Sequence, residues 1–209
     1  MDLICPICGS KLNMLDKSLV CAEHHCFDIA RQGYVNLLTV QQKHSLHPGD
    51  TREQVLSRRA FLEAGYYAPI ADALIAVAKE LTVNSNEIRP SGELLDVGCG
   101  EGYYSARLAG ALGMHLTGMD ISREAVRCAA GKYKNGLWLC ATASHIPVAD
   151  HSCRLLTSLF ALTMPEEFKR VLRPDGYFLQ VLAAEDHLLG LKSIIYDRLI
   201  EKPKDTVPD

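Results

Sequence analysis

From residue 58 onward, short apolar runs alternate with amphipathic stretches. Ile70, Ala73, Leu74, Val77 and Leu81 recur at helical spacing, with Asp72, Lys79 and Glu80 elsewhere, and predict a helix. After the turn-rich stretch 84–92, Glu93-Leu94-Leu95-Asp96-Val97 predicts a buried strand, followed by glycines and a helix over 103–112. The pattern continues with strand 115–119, helix 122–132, strand 137–141 and a loop through Pro147. An apolar strand over 155–162, a short helix over 166–172, a turn at 173–176 and strand 177–183 come next. A last helix is expected over about 186–200, with Leu188, Leu191, Ile195 and Leu199 on one face. Strands alternating with helices predict an α/β parallel sheet with helices on both faces. Ahead of it, residues 1–36 read as a small Cys/His-rich module and 37–57 as a polar linker, so the α/β domain is placed at 58–209.

Composition changes little. The 209 residues carry 22 Lys+Arg against 25 Asp+Glu, are 48% hydrophobic and 22% charged, and so belong with ordinary globular chains. No apolar run approaches the ~20 residues of a membrane span. The start, Met1-Asp2-Leu3-Ile4-Cys5, has no basic segment followed by an apolar one, so a cytoplasmic chain with no membrane partner is expected. A near-neutral charge offers no argument for nucleic acid by itself.

Cysteine placement changes more. Of eight cysteines, four fall in the first 26 residues, while Cys99, Cys128, Cys140 and Cys153 are scattered and read as small buried hydrophobes. Cys5-x2-Cys8, twelve residues, then Cys21-x3-His25 is the spacing of two knuckles around one ion. Soft ligands in a tetrahedron suit a structural Zn²⁺. His24, His25 and Cys26 compete for the fourth position, and a redox Cys-x-x-Cys is the alternative. Some 35 residues are too few for an independent core, so metal binding is expected to supply folding energy.

The most informative stretch is Asp96-Val97-Gly98-Cys99-Gly100-Glu101-Gly102. A strand ending in three alternating glycines before a helix lets backbone approach a ligand at the helix N-terminus of a Rossmann-like sheet. Gly-x-Gly-x-Gly differs from the dinucleotide fingerprint. Asp96, two residues before the first glycine, suits the ammonium end of S-adenosylmethionine better than a pyrophosphate. Asp120, ending the next strand beside Ile121, is placed to grip ribose hydroxyls, and the third strand end, Ala141-Thr142-Ala143-Ser144, is placed to offer backbone and hydroxyl contacts to an adenine edge. The alternative is a glycine turn needed only for packing, with Asp120 capping the next helix.

Taken together, the chain resembles the zinc-containing 23S ribosomal RNA guanine-N1 methyltransferases. The shared residues include Cys5/Cys8/Cys21/His25, Phe27-Asp28, Gly33-Tyr34-Val35-Asn36-Leu37-Leu38, Pro48-Gly49-Asp50, Arg58-Arg59-Ala60-Phe61-Leu62 and Gly65-Tyr66-Tyr67. They continue with Asp96 to Tyr104, His187-Leu188 and Leu191-Lys192. The resemblance implies a class I S-adenosylmethionine-dependent methyltransferase sheet behind a zinc module that helps hold an RNA hairpin. It favours His25 as the fourth zinc ligand and places Tyr67, Tyr104, Ser105 and His187 in the cofactor pocket. Read from the residues alone, Tyr67 is equally a core aromatic and His187 a surface residue at a helix start. The chain departs from the family in having Pro174-Asp175-Gly176 for Pro-Gly-Gly, Arg154 at the start of the fourth strand, and Phe160-Ala161-Leu162-Thr163 at its end. Strands six and seven of the class find no segment here, so the chain looks like the family's N-terminal three-quarters, with strand 177–183 or its neighbour left as an edge.

The expected chemistry is methyl transfer to guanine N1, which requires positioning and an acceptor for the N1 proton. Asp50, Glu101 and His145 are candidates, and none stands out as catalytic. Lys11, Lys17, Arg31, Lys43, Arg52, Arg58 and Arg59 could meet phosphates, as could His24, His44 and His47, with bases stacking on Phe27 and Tyr34. A homodimer is a further expectation. The rival readings are a small-molecule methyltransferase and a non-catalytic relative that binds cofactor or RNA.

Overall fold

The computed structural model describes residues 1–43, 45, 48–83, 92–184 and 186–195. All but the last residue of the expected turn-rich stretch 84–92, His44, His47, the end of the last helix and the tail lie outside the described residues. The main sheet comprises β4 (Tyr34–Asn36), β5 (Glu93–Val97), β6 (His115–Asp120), β7 (Gly136–Cys140), β8 (Cys153–Leu159) and β9 (Leu172–Val181). All neighbours are parallel, in the order β4-β7-β6-β5-β8-β9. Strands buried on both faces read as continuous apolar runs, and every residue of β8 is buried. Because β5 lies between β6 and β8, the winding direction reverses at its carboxyl end, which opens a crevice there.

The helices are α1 (Arg52–Glu63), α2 (Ala68–Val83), α3 (Tyr103–Leu112), α4 (Arg123–Lys132), α5 (Pro165–Val171) and α6 (Leu189–Ile195). Leu74 and Ala78 of α2, Leu108 of α3 and Val126 of α4 pack with Leu94, Leu155 and Trp138 on one face of the sheet. On the other face, Val97, Met119 and Leu139 pack with Phe168 and Val171 of α5. Leu3, Leu12 and Leu19 of the N-terminal module join this second core. Among the described residues no single helix is long and apolar enough to cross a membrane.

The N-terminal module is an antiparallel sheet of β1 (Asn13–Leu15), β2 (Ser18–Val20) and β3 (Cys26–Asp28). Rather than ending separately at residue 36, its chain continues into the main sheet, where β4 pairs with β7 in the register Val35↔Leu139. The module is thereby tied to the sheet by backbone as well as by the shared core. The stretch 37–57 is not a plain linker, since it holds a 3₁₀ turn at Val40–Gln42 and the first half of α1. α1 starts where Thr51 and Gln54 cap each other: Gln54 N–H donates to Thr51 Oγ1 at 3.4 Å and Thr51 N–H to Gln54 Oε1 at 2.8 Å.

The buried stripe of α2 is Ala71, Leu74, Ala78 and Thr82, while Val77, expected inside, is 44% exposed. α2 is apolar nearly all round, so periodicity does not select a face. Packing against α3 selects the alanine side, where small residues allow close approach. β8 ends at Leu159 instead of 162, because Phe160 adopts a left-handed φ of 56° and turns the chain. β9 starts at Leu172, and the expected turn at 173–176 is a bulge between the pairs Cys153↔Leu172 and Leu155↔Tyr177. Two of the departures from the family pattern meet at this bulge. Arg154, 5% exposed, places Nη1 3.5 Å from Asp175 Oδ2, and Arg173 holds the same carboxylate at 2.9 Å. The arginine at the strand start and the aspartate in the turn compensate one another.

Candidate active site and metal centre

β5 delivers the glycine loop to the crevice. Gly98, Gly100 and Gly102 all have positive φ, at 80°, 56° and 84°. A methyl on Gly102 would lie 2.6 Å from the Trp138 ring and one on Gly98 would collide with Ala161, whereas one on Gly100 meets nothing within 4 Å. Two glycines thus serve packing, and the third leaves backbone open to the cavity. Gly100 N–H donates to Asp120 Oδ2 at 2.9 Å and Ser122 N–H to Oδ1 at 2.8 Å. The carboxylate is aimed by both contacts, and its burial pushes its pKa up. The cap of α4 is Ser122, which accepts from Ala125 N–H at 3.2 Å, so Asp120 is not the cap.

The cavity here is about 620 Å³, within the usual range for a small-molecule site. It is lined by Tyr67, Gly98, Gly100, Glu101, Tyr104, Asp120, Ile121 and His187 of the residues expected there. Asp96, Gly102, Ser105 and Ser144 are not in the lining. Asp96 is buried one layer below, accepting from Thr157 Oγ1 at 2.7 Å and from Ser105 Oγ. Burial pushes its pKa up to about 6, against those two hydrogen bonds. Ser144 Oγ lies 2.9 Å from Thr142 Oγ1, and it is Thr142 that faces the cavity. Phe160, Ala161 and Leu162, at the end of the fourth parallel strand where sequence places the methyl-transfer position, line it too, whereas sequence reasoning missed Phe61 and Met164 and placed Arg58 only among phosphate contacts. Their convergence depends on the bend between α1 and α2 and on the end of β8, which no local pattern encodes.

Two buried groups ask for a polar ligand. Glu101 is 4% exposed, and neither of its carboxylate oxygens has a hydrogen-bond partner in the structure; the same holds for the Tyr104 hydroxyl. Burial raises the Glu101 pKa and pushes that of Tyr104 up to about 12. A buried polar atom left unpaired costs about 1–3 kcal/mol, so a ligand with hydroxyl and amine donors recovers that loss. These residues fit S-adenosylmethionine. Of the three candidate proton acceptors only Glu101 reaches the cavity. Asp50 pairs with Arg58 at 2.8 Å, and the exposed His145 lies beside Ser144.

In the N-terminal module Cys5, Cys8, Cys21 and His25 bring their ligand atoms within 4.8 Å of one another. Cys8 Sγ and Cys21 Sγ are 3.7 Å apart, and His25 Nδ1 lies 3.5 Å from Cys5 Sγ and 3.4 Å from Cys21 Sγ. A Zn²⁺ with Zn–S of about 2.3 Å and Zn–N of about 2.0 Å has tetrahedral edges of about 3.8 and 3.5 Å, and these three separations match them. His24, at a φ of 60°, turns the knuckle, and Cys26 starts β3 as an exposed residue; neither joins the set. The Ser10 hydroxyl and amide hold the Cys8 thiol down to about 6. Among the scattered cysteines, Cys99, Cys140 and Cys153 are buried, but Cys128 is half-buried and accepts from Arg59 Nη1 at 3.1 Å. Phe27 and Tyr34 are half-buried, each packed against one of the two cores.

A parallel sheet with a glycine loop, an aimed carboxylate and a Cys₃His cluster defines an S-adenosylmethionine-dependent methyltransferase with an N-terminal zinc ribbon. Family comparisons agree with both halves. Residues 3–46 match the zinc ribbon described as RlmA, N-terminal, and residues 95–180 match a methyltransferase domain. A relative from Micromonospora griseorubida, grouped with the 23S rRNA (guanine-N(1)-)-methyltransferases, is 38% identical over 205 residues, covering 90% of this chain and 68% of its own. The 23S rRNA (guanine(748)-N(1))-methyltransferase of Streptomyces fradiae is 35% identical, covering 90% of this chain and 66% of its own. The crystal structure of the PH0226 protein from Pyrococcus horikoshii OT3 superposes with a TM-score of 0.51 at 25% identity, over 63% of this chain and 61% of that one. The chain belongs to the 23S rRNA (guanine-N1) methyltransferase family, and spans about two thirds of the length of these relatives.

Proposed function

We propose that this chain transfers a methyl group from S-adenosylmethionine to N1 of a guanine in 23S ribosomal RNA. The observation that carries this reading is the pairing, in one chain, of a cluster fitted to Zn²⁺ with a cavity whose unpaired Glu101 and Tyr104 groups and open Gly100 backbone suit that cofactor. When bound, the cofactor supplies an electrophilic methyl group. Asp120, aimed by the Gly100 and Ser122 amides, holds the ribose hydroxyls, with Ile121 beside it. Gly98, Gly100 and Gly102 let the backbone pass close to the ligand. Asp96, steadied by Ser105 and Thr157, fixes the end of β5 beneath it. Tyr67, Tyr104 and His187 close the cavity from the turn before α2, from α3 and from the turn before α6, and Ser144 supports Thr142 at the edge. Tyr67 and Phe160 wall the side toward solvent, where they exclude water from the reacting atoms.

The zinc ribbon holds the RNA as a hairpin, from which the target guanine is splayed into the cavity, because a paired base hides N1. Four protein ligands close the zinc coordination sphere, so the ion is structural. The chain works in the cytoplasm, and a homodimer, testable by light scattering, is its assembly in this reading. The function is tested by incubating the chain with methyl-labelled S-adenosylmethionine and a 23S rRNA fragment. Label is expected in the RNA, with a reverse-transcription stop beside one guanine, since an N1 methyl blocks the pairing edge. Cofactor binding without transfer would support the non-catalytic reading, and label in metabolites but not RNA would support a small-molecule enzyme.

A further inference from the structure

The corner between α1 and α2 carries aromatic rings that the cofactor cavity does not use up. The two helices meet at a bend of 78°, and at that bend Phe61 stacks on Tyr66 with ring centroids 5.0 Å apart and planes 26° from parallel. Tyr66 is 69% exposed and Phe61 44%. Soluble chains leave single apolar residues outside as a matter of course, but a stacked, exposed pair is a surface with a use. This pair is also continuous with the site. Phe61 meets Tyr67 edge-on at 5.1 Å, Tyr67 approaches Phe160 at 6.5 Å, and Phe160 approaches Tyr104 at 6.4 Å. A line of rings therefore runs from solvent to the glycine-loop cavity. One turn before Phe61, Arg58 lines the same mouth, is more than half exposed, and is held in place by Asp50.

We infer that the Phe61–Tyr66 pair is a stacking platform for an unpaired RNA base next to the methylated one, with Arg58 beside it for the intervening phosphate. The assignment rests on the RNA-methylation reading and deepens it. Flat rings accept any base face, and a cation one helical turn away matches the phosphate that follows each base, whereas a protein partner would have no need of that alternation. Phe27 and Tyr34, the rings that sequence pattern suggested, are half-buried against the two cores and do not line the cavity. The platform would hold the strand so that the target base is directed along the ring line into the cavity.

The test compares wild type, Tyr66→Ala and Tyr66→Phe. Binding of a fluorescein-labelled, single-stranded purine RNA 12-mer is followed by anisotropy, and S-adenosylmethionine binding by calorimetry as a folding control. Stacking is worth about 1–3 kcal/mol per base, so Tyr66→Ala should weaken RNA binding roughly 5- to 150-fold. Tyr66→Phe should keep wild-type affinity, and cofactor binding should be the same in all three. Equal RNA affinity in Tyr66→Ala, an equal loss in both variants, or no RNA binding by wild type overturns the platform. A change in sedimentation of Tyr66→Ala with RNA affinity intact overturns it too, and reassigns the patch to contact between chains. Oligonucleotide binding that depends on Tyr66, in a chain that never methylates 23S rRNA, leaves the platform standing and sinks the enzymatic reading instead.

Discussion

Asp96→Asn should make the protein relatively more stable as pH rises. Asp96 is fully buried between Ser105 and Thr157, and its pKa is raised from 3.8 to about 6 by burial. A carboxyl with a raised pKa binds its proton more tightly in the folded than in the unfolded chain. Folding is therefore favoured at low pH, and stability falls as pH climbs from about 4 to about 6. At 1.36 kcal/mol per pH unit, the full penalty above pH 7 is about 3 kcal/mol, of which about 2 kcal/mol develops between pH 4.5 and 7. Asn has the same shape, can accept from one hydroxyl and donate to the other, and carries no charge to bury. Urea unfolding of the two cofactor-free proteins at pH 4.5, 5.5, 7 and 8 measures the difference, and titrations common to both cancel. The variant should gain about 2 kcal/mol on wild type between pH 4.5 and 7 and nothing further by pH 8. A difference independent of pH, or one of opposite sign, would refute the claim that this carboxylate is ionised against its surroundings at neutral pH.

Other outcomes follow from the same geometry. Gly102→Ala meets both a left-handed backbone and the Trp138 ring, so it should cost about 2–4 kcal/mol in urea unfolding. Gly100→Ala meets only the backbone cost, about 1 kcal/mol, yet should abolish S-adenosylmethionine binding in calorimetry by filling the cradle. Asp120→Asn turns one amide hydrogen toward a backbone N–H, and losing an acceptor there should weaken cofactor binding by about tenfold or more. Cys21→Ser should take zinc from one per chain to none by elemental analysis. It should also lower the melting temperature of the whole molecule, because Leu3, Leu12 and Leu19 share the sheet core; unchanged zinc and melting would refute the ligand set.

Much of the site was legible because its signals are local. Two cysteines separated by two residues can reach one ion from a single turn, and three alternate glycines after a strand mark a turn where backbone approaches a neighbour or a ligand closely. Asp120 was placed by the length of one strand-helix unit. Residues whose role depends on a neighbour were harder. Ser144 supports Thr142 instead of facing the cavity, Asp96 lies beneath it, and Phe61, Phe160 and Leu162 converge from segments a hundred residues apart. The capping pair Thr51/Gln54 was a readable sign of α1 and shows where the reading of 37–57 could have been sharper.

By itself the sequence determined the order of strands and helices from α2 onward, the parallel sheet they imply, the metal knuckles and the glycine loop, since each is signalled within a few residues or by one period. Tertiary structure decided the rest. It chose the alanine face of the nearly all-apolar α2, drew β4 out of the N-terminal module to pair with β7, and brought Arg154 against Asp175. It also packed Phe27 and Tyr34 half-buried against the cores while leaving Phe61 and Tyr66 more exposed at the mouth of the cavity. Hydrophobicity says that such a ring will seek cover. Only the packing of distant segments says which ring finds it.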